Sequence, residues 1–246
     1  MSPSCQNADE PGVVSVQYAL DAMLNAVSAV AETERVQLAL AVGRPLATAL
    51  VAPFDVPGHT NSAVDGYALA GEELPGPGEI KEFSVIGSAL AGHPYRGVVD
   101  KGQCVRIMTG AVMPEGADTV IMQEEVREQG ERVHIDGRHE AGQNVRQAGE
   151  DLRRGETVLT PGRWLTPADI GLAASLGYAE LTVHRRLRVA VLTTGDELQA
   201  LGMPLASGFL YDSNRHMLTA ALRRLGVEIL DHGIVRDDPK LLERSL

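Results

Sequence analysis

The sequence predicts an α+β multidomain protein: an elongated first domain of helices and strands, an inserted β-rich, barrel-like domain, and the start of an α/β domain with a parallel sheet that reads as truncated. Three observations predict it. An apolar stripe at helical spacing occupies residues 16–27, short apolar runs punctuated by Pro and Gly fill the stretch from about 58 to 135, and a strand–helix–strand pattern occupies 188–230. At 246 residues, two or three small domains can each bury a core.

In chain order, residues 1–14 carry Ser, Pro, Asn, Asp and Glu without apolar period and read as a flexible tail. Ser15 then caps a helix in which Val16, Ala19, Leu20, Met23, Leu24 and Val27 share one face, expected to pack into a core. A second helical stretch is expected over Glu34–Ala49, interrupted at Gly43-Arg44-Pro45. Strands are expected at Glu82–Ile86, Cys104–Met108, Thr119–Gln123 and Arg132–Ile135, with turns at Pro75–Gly78, Pro114–Gly116 and Asp136-Gly137. Thr166-Pro167-Ala168-Asp169 is a helix start and Gly177 its stop. Arg188–Thr193 reads as a strand buried on both faces, followed by a helix over Ser213–Leu225, a strand over Val227–Leu230 and a last helix after Pro239. The expected domains are 15–57 with 142–184, the inserted 58–141, and an incomplete 185–246. Two parallel strands cannot build a two-sided core, so the expectation is a fragment or a sheet completed by another chain.

Composition narrows the function classes. A net charge of −11 argues against nucleic acid as a bulk electrostatic partner. Two cysteines, Cys5 and Cys104, lie far apart without metal or disulfide spacing, which suits a reducing cytoplasm. No signal peptide or membrane-length apolar run is read, and no membrane partner is expected. Seven scattered histidines offer no zinc spacing, and neither a P-loop nor G-x-G-x-x-G occurs.

Four polar constellations remain. In Asp55–Ala68, turn pairs Pro57-Gly58 and Asp65-Gly66 hold a carboxylate at a bend, although Asp-Gly is also a common hairpin connector. In Arg106–Gly116, Thr109 either donates to an oxyanion or caps its strand end. In Gly142–Asp151, Arg146 either meets a phosphate or forms a surface ion pair. Thr193–Glu197 follows the first buried strand, the place where open α/β sheets bind ligands. Carboxylates near glycine turns suit an oxygen-ligating ion such as Mg²⁺.

Taken together, the motifs D-V-P-G-x-x-N-S-A-V-D-G-Y-A at 55–68, R-I-M-T-G-A at 106–111, M-P-E-G-A-D at 113–118, G-x-N-V-R at 142–146, G-E-D at 149–151, T-G-D-E-L at 194–198, Y-D-S-N at 211–214 and R-D-D-P at 236–239 resemble those of the molybdopterin molybdenumtransferases. These are the MoeA-like molybdenum insertion enzymes, related to the E domain of gephyrin. The resemblance implies reaction of molybdate with adenylylated molybdopterin, in the presence of Mg²⁺, to molybdenum cofactor and AMP. It implies Asp65, Thr109, Asp151 and Glu197 as catalytic residues, Arg146 as a ligand-binding residue, and Glu197 and Asp65 as Mg²⁺ ligands. It also implies a homodimer and a molybdopterin adenylyltransferase as partner. Gln147 and Ala148 stand where relatives often carry more Arg, and the later loops of the family's third domain, with its fourth domain, do not follow. The alternatives are a non-catalytic dimerisation or scaffold module and half of a split enzyme.

Overall fold

A computed structural model describes residues 14–245, so the expected tail lies outside them except for its last residue. Two compact units divide the described chain: Ala49–Thr160, and the residues up to Thr48 together with those from Pro161 on. The first helix, α1 (Val16–Ala26), starts where the cap predicts, with the Tyr18 N–H donating to Ser15 Oγ at 3.1 Å. Its stripe is not core, however. No α1 residue is buried, and Val16 is 86 % exposed. Helical spacing fixes which side chains share a face, and says nothing of what covers that face.

The second expected helix is also corrected. Thr33–Gln37 is a strand, β1, and only Leu38–Leu40 makes a 3₁₀ turn. Strand β1 pairs antiparallel with Glu180–His184, Val36 opposite Leu181, and this distant partner outweighs local helix propensity. Gly43, at φ +71°, then turns the chain away.

The unit Ala49–Thr160 holds β2 (Leu50–Val51), β3 (Asn61–Ser62), β4 (Gly66–Leu69), β5 (Ile80–Ala89), β6 (Gln103–Ile107), β7 (Thr119–Met122), β8 (Arg127–Gln129), β9 (Arg132–Asp136), β10 (Val145–Arg146) and β11 (Thr157–Leu159). Six of them form one sheet in the order β7-β4-β6-β5-β9-β8, curled as a half-barrel, with β5 and β6 its one parallel pair. The expected strands are all there, lengthened or shifted by a few residues; β8 was not expected, because its three residues are all exposed and leave no apolar pattern. Both faces of the central strands are covered. Tyr67, Leu69, Phe83, Cys104, Ile121 and Ile135 pack on one side, and Ala68, Val105, Ile107 and Val120 on the other. Each large side chain fully buried in this way contributes about 2 kcal/mol. Burial also pushes the Cys104 thiol up to about 12, so it packs as an inert apolar group. The chain enters and leaves this unit on neighbouring strands, since Leu50 of β2 lies opposite Leu159 of β11.

In the other unit, α2 (Pro167–Ser175) begins with the expected cap as a full capping box. The Asp169 N–H donates to Thr166 Oγ1, and the Thr166 N–H donates back to Asp169 Oδ2 at 2.9 Å. β12 (Glu180–His184) is the partner of β1. Then come β13 (Arg188–Thr194), β14 (Leu198–Gln199), β15 (Leu210–Tyr211), α3 (Ser213–Arg224), β16 (Glu228–Val235) and α4 (Pro239–Ser245). Strands β13 and β16 are parallel, as the βαβ pattern requires. The expected burial of β13 on both faces is not met among the described residues: only Val191 is buried in it, and only Val235 in β16.

Candidate active site

Asp65 directly precedes β4, and Gly66 explains its position. Gly66 is opposite Ile107 of β6 and Met122 of β7, and a Cβ built on it would stand 2.0 Å from the Ile121 carbonyl oxygen. The glycine therefore serves a close approach of two backbones, not the hairpin turn that Asp-Gly commonly makes. The end of β6 is brought beside the bend. There the Thr109 N–H and the Thr109 hydroxyl both donate to Asp65 Oδ1 at 2.7 Å. The Gln123 N–H holds the Asp65 carbonyl at 3.1 Å, and the Gly110 N–H holds that of Ser62 at 2.8 Å. The Thr109 N–H, then its hydroxyl, and then the charge of Arg106 hold the Asp65 carboxyl below its ordinary value against the opposing effect of desolvation. At neutral pH this group is a fixed carboxylate, suited to bind a cation or orient water and unsuited to donate a proton. The Thr109 hydroxyl, expected to donate to an oxyanion or cap a strand, donates to this carboxylate.

Arg146 lies opposite Asn61 in the β10–β3 pair, so its segment is stitched to the loop that carries Asp65. Asn144 takes a left-handed turn, φ +58°, with its amide donating to the Val120 carbonyl at 3.0 Å. The guanidinium of Arg146 then meets both oxygens of Asp151, at 2.8 and 2.7 Å, and Glu150 at 3.2 Å. Asp151 first, and Glu150 after it, raise the Arg146 pKa. Of the two expectations for Arg146, the ion pair is the arrangement present; a phosphate here would have to exchange with a carboxylate.

Glu197 belongs to the other unit. It follows Gly195, whose φ of +150° and whose missing Cβ both matter: a methyl there would lie 2.7 Å from the Glu197 carboxylate. Arg236, after β16, reaches Asp196 at 3.6 Å and joins the loops at the carboxyl ends of the two parallel strands. In the sequence Asp212 stands only within the Y-D-S-N motif, without an expected role. It is 2 % exposed, caps α3, and accepts from Thr193 Oγ1 at 2.8 Å and Arg215 Nε at 2.7 Å. Arg215 also grips Asp231 at 2.9 and 2.6 Å. Burial pushes the Asp212 carboxyl up, but the bonds from Arg215 and Thr193 outweigh it and hold the group low. The signal available in sequence was an Asp at the cap position with an Arg three residues on. Asp65 with Thr109 and Arg146 with Asp151 are in contact within one unit, and Glu197 belongs to the other.

A family model described as the MoeA N-terminal region (domain I and II) matches residues 14–177. The chain belongs to the MoeA family. A second model, described as a probable molybdopterin binding domain, matches residues 190–246. Among MoeA relatives, the molybdopterin molybdenumtransferase of Haemophilus influenzae is 39 % identical over 235 residues, 95 % of this chain and 57 % of its own length. That of a Nostoc species is 38 % identical over 87 % of this chain and 50 % of its own length. The crystal structure of the molybdopterin biosynthesis moeA protein from Pyrococcus horikoshii OT3 has a TM-score of 0.84 at 32 % identity, and the match covers 93 % of this chain and 62 % of that one. The chain thus spans about half the length of the curated MoeA relatives it matches.

Proposed function

We propose that this chain acts in molybdenum insertion, the reaction of molybdate with adenylylated molybdopterin that yields molybdenum cofactor and AMP. The observation that carries the reading is the Asp65 carboxylate fixed by both donors of Thr109, within a MoeA-type N-terminal region. Cleaving a phosphoanhydride transfers negative charge to the leaving AMP, and the residues needed are a placed carboxylate, a cation and a guanidinium. Asp65 and Glu197 serve as placed carboxylates. Thr109 acts by fixing Asp65, and Asp151 by releasing Arg146 to a phosphate of the substrate.

Mg²⁺ is commonly held by one or two carboxylates together with substrate phosphates and waters. Asp65 and Glu197 are carboxylates of that kind, and no group of three His, Cys, Asp or Glu preforms a protein cage among the described residues. When bound, the ion would neutralise phosphate charge. The exposed α1 stripe of Val16, Leu20, Met23, Leu24 and Val27 supports a homodimer, and a molybdopterin adenylyltransferase is the partner whose product this site would take. A cytoplasmic setting suits that exchange.

The test is AMP release from adenylylated molybdopterin with Mg²⁺, with and without molybdate, by this chain alone and mixed with the C-terminal half of the Haemophilus relative. Molybdate-dependent release that falls at least about a hundredfold in Asp65→Asn supports the reading. No release in either arrangement overturns it. For the dimer, sedimentation of Leu24→Ser should show a monomer where the parent chain is a dimer.

A further inference from the structure

A cavity of about 530 Å³, lined by none of the residues of the proposed reaction, lies in the unit that contains β1, α2 and β13. Its frame is backbone. Pro45 bridges Trp164, the His184 N–H donates to the Pro45 carbonyl at 2.9 Å, and the Leu46 N–H donates to that of Arg163 at 2.8 Å. A wall tied in this way is formed before anything binds. The lining is mainly apolar, with Leu187 and Leu225 52 % and 69 % exposed, and Trp164 presents its ring at 62 % exposure.

Two polar atoms on residues of this wall are buried without a protein partner, Arg44 Nε and His184 Nδ1. Arg44 is 6 % exposed; its Nη2 donates to Glu34 at 2.5 Å and to the His184 carbonyl at 2.6 Å, which leaves the Nε–H over. A buried N–H of a charged group left in this way carries an uncompensated desolvation cost, which an arriving acceptor offsets. The charges nearly balance: Arg44 is met by Glu34 and Arg185 by Glu32 at 2.9 Å, while among the described residues no carboxylate pairs with Arg186. One positive charge on the lining is unmatched, in a chain whose net charge is −11.

We propose that this cavity is a binding site for a small aromatic carboxylate. The flat body stacks on Trp164 between the leucines, and the carboxylate takes the Arg44 Nε–H and the charge of Arg186. A neutral analogue leaves the N–H unmet, and a phosphate monoester brings one charge too many against Glu34 and Glu32.

Trp164 is the chain's single tryptophan and its indole N–H resonance is therefore an unambiguous reporter. The experiment titrates the ¹⁵N-labelled 246-residue chain with 2-naphthoate, 2-naphthamide and 2-naphthyl phosphate, with calorimetry alongside. The expected result is a saturable shift of the Trp164 indole signal by naphthoate with Kd below about 1 mM, about tenfold weaker binding of the amide, and weaker binding of the phosphate. Arg186→Gln, an exposed change that leaves the fold alone, should weaken naphthoate by about fivefold and leave the amide unchanged. Arg44→Lys keeps the charge beside Glu34, removes the Nε–H, and should weaken naphthoate further. No saturable shift, equal binding of acid and amide, tighter binding of the phosphate, or indifference to Arg186→Gln would each overturn the assignment.

Discussion

The six-stranded sheet and the β13–β16 pair use similar residues to opposite effect. In the first, Phe83, Ile107, Ile121 and Ile135 are wholly buried and both faces are filled; in the second, Val191 and Val235 are the buried strand residues. The α/β part relies instead on polar bonds, with Asp212 gathering Thr193 and Arg215. A region held by apolar contacts is stiff everywhere, whereas one held by a single charged knot opens when the knot is cut. The two carboxylates nominated for chemistry fall one in each, Asp65 at the start of β4 in the stiff sheet and Glu197 after β13 of the looser pair.

The largest effect should come from emptying the stiff sheet. Phe83→Ala should cost about 4 kcal/mol in denaturant unfolding, and a loss under about 1 kcal/mol would mean that the sheet is not the stability centre. Gly66→Ala forces a methyl against the Ile121 carbonyl oxygen and should cost about 3 kcal/mol, with loss of Asp65-dependent AMP release as the strand shifts. Asp212→Ala should cost about 2 kcal/mol locally, seen as about thirtyfold faster hydrogen exchange in α3 with residues 66–136 unchanged. Equal acceleration in both regions would erase the contrast.

The smallest effect is set by pH. Arg163, then the Thr166 N–H, hold the Asp169 carboxyl at about 2 against an ordinary 3.8. Because the folded value is the lower one, this contribution is complete above about pH 4 and is lost as pH falls towards 2. Asp169→Asn should remove up to about one proton of uptake on unfolding across that window, leaving a shallower acid limb in a pH series of denaturant midpoints.

Local signals were legible in the sequence and long-range ones were not. Ser15, Thr166 and Gly177 announce their helix ends because a cap is made with residues three or four away. Residues 34–49 read locally as helix, because the strand that β1 pairs with lies so far along the chain that no local window contains it. For the site, motif order pointed to Asp65 and Thr109, yet their contact spans 44 positions and needed the β4–β6 register to appear. Arg146 shows the converse: its partners Glu150 and Asp151 are close in sequence, and the ion pair was one of its two expected readings. Nothing in residue type marks Asp212, because burial, which makes its charge consequential, leaves no signature there.

Leu50 opposite Leu159 makes everything between them a single excursion whose two ends are hydrogen-bonded neighbours. Lengthening such an excursion is thermodynamically cheap, about 0.6 kcal/mol for each doubling. A recombination event at those two strands could therefore exchange the whole half-barrel for an unrelated module, and a protein engineer could cut and graft at the same seam.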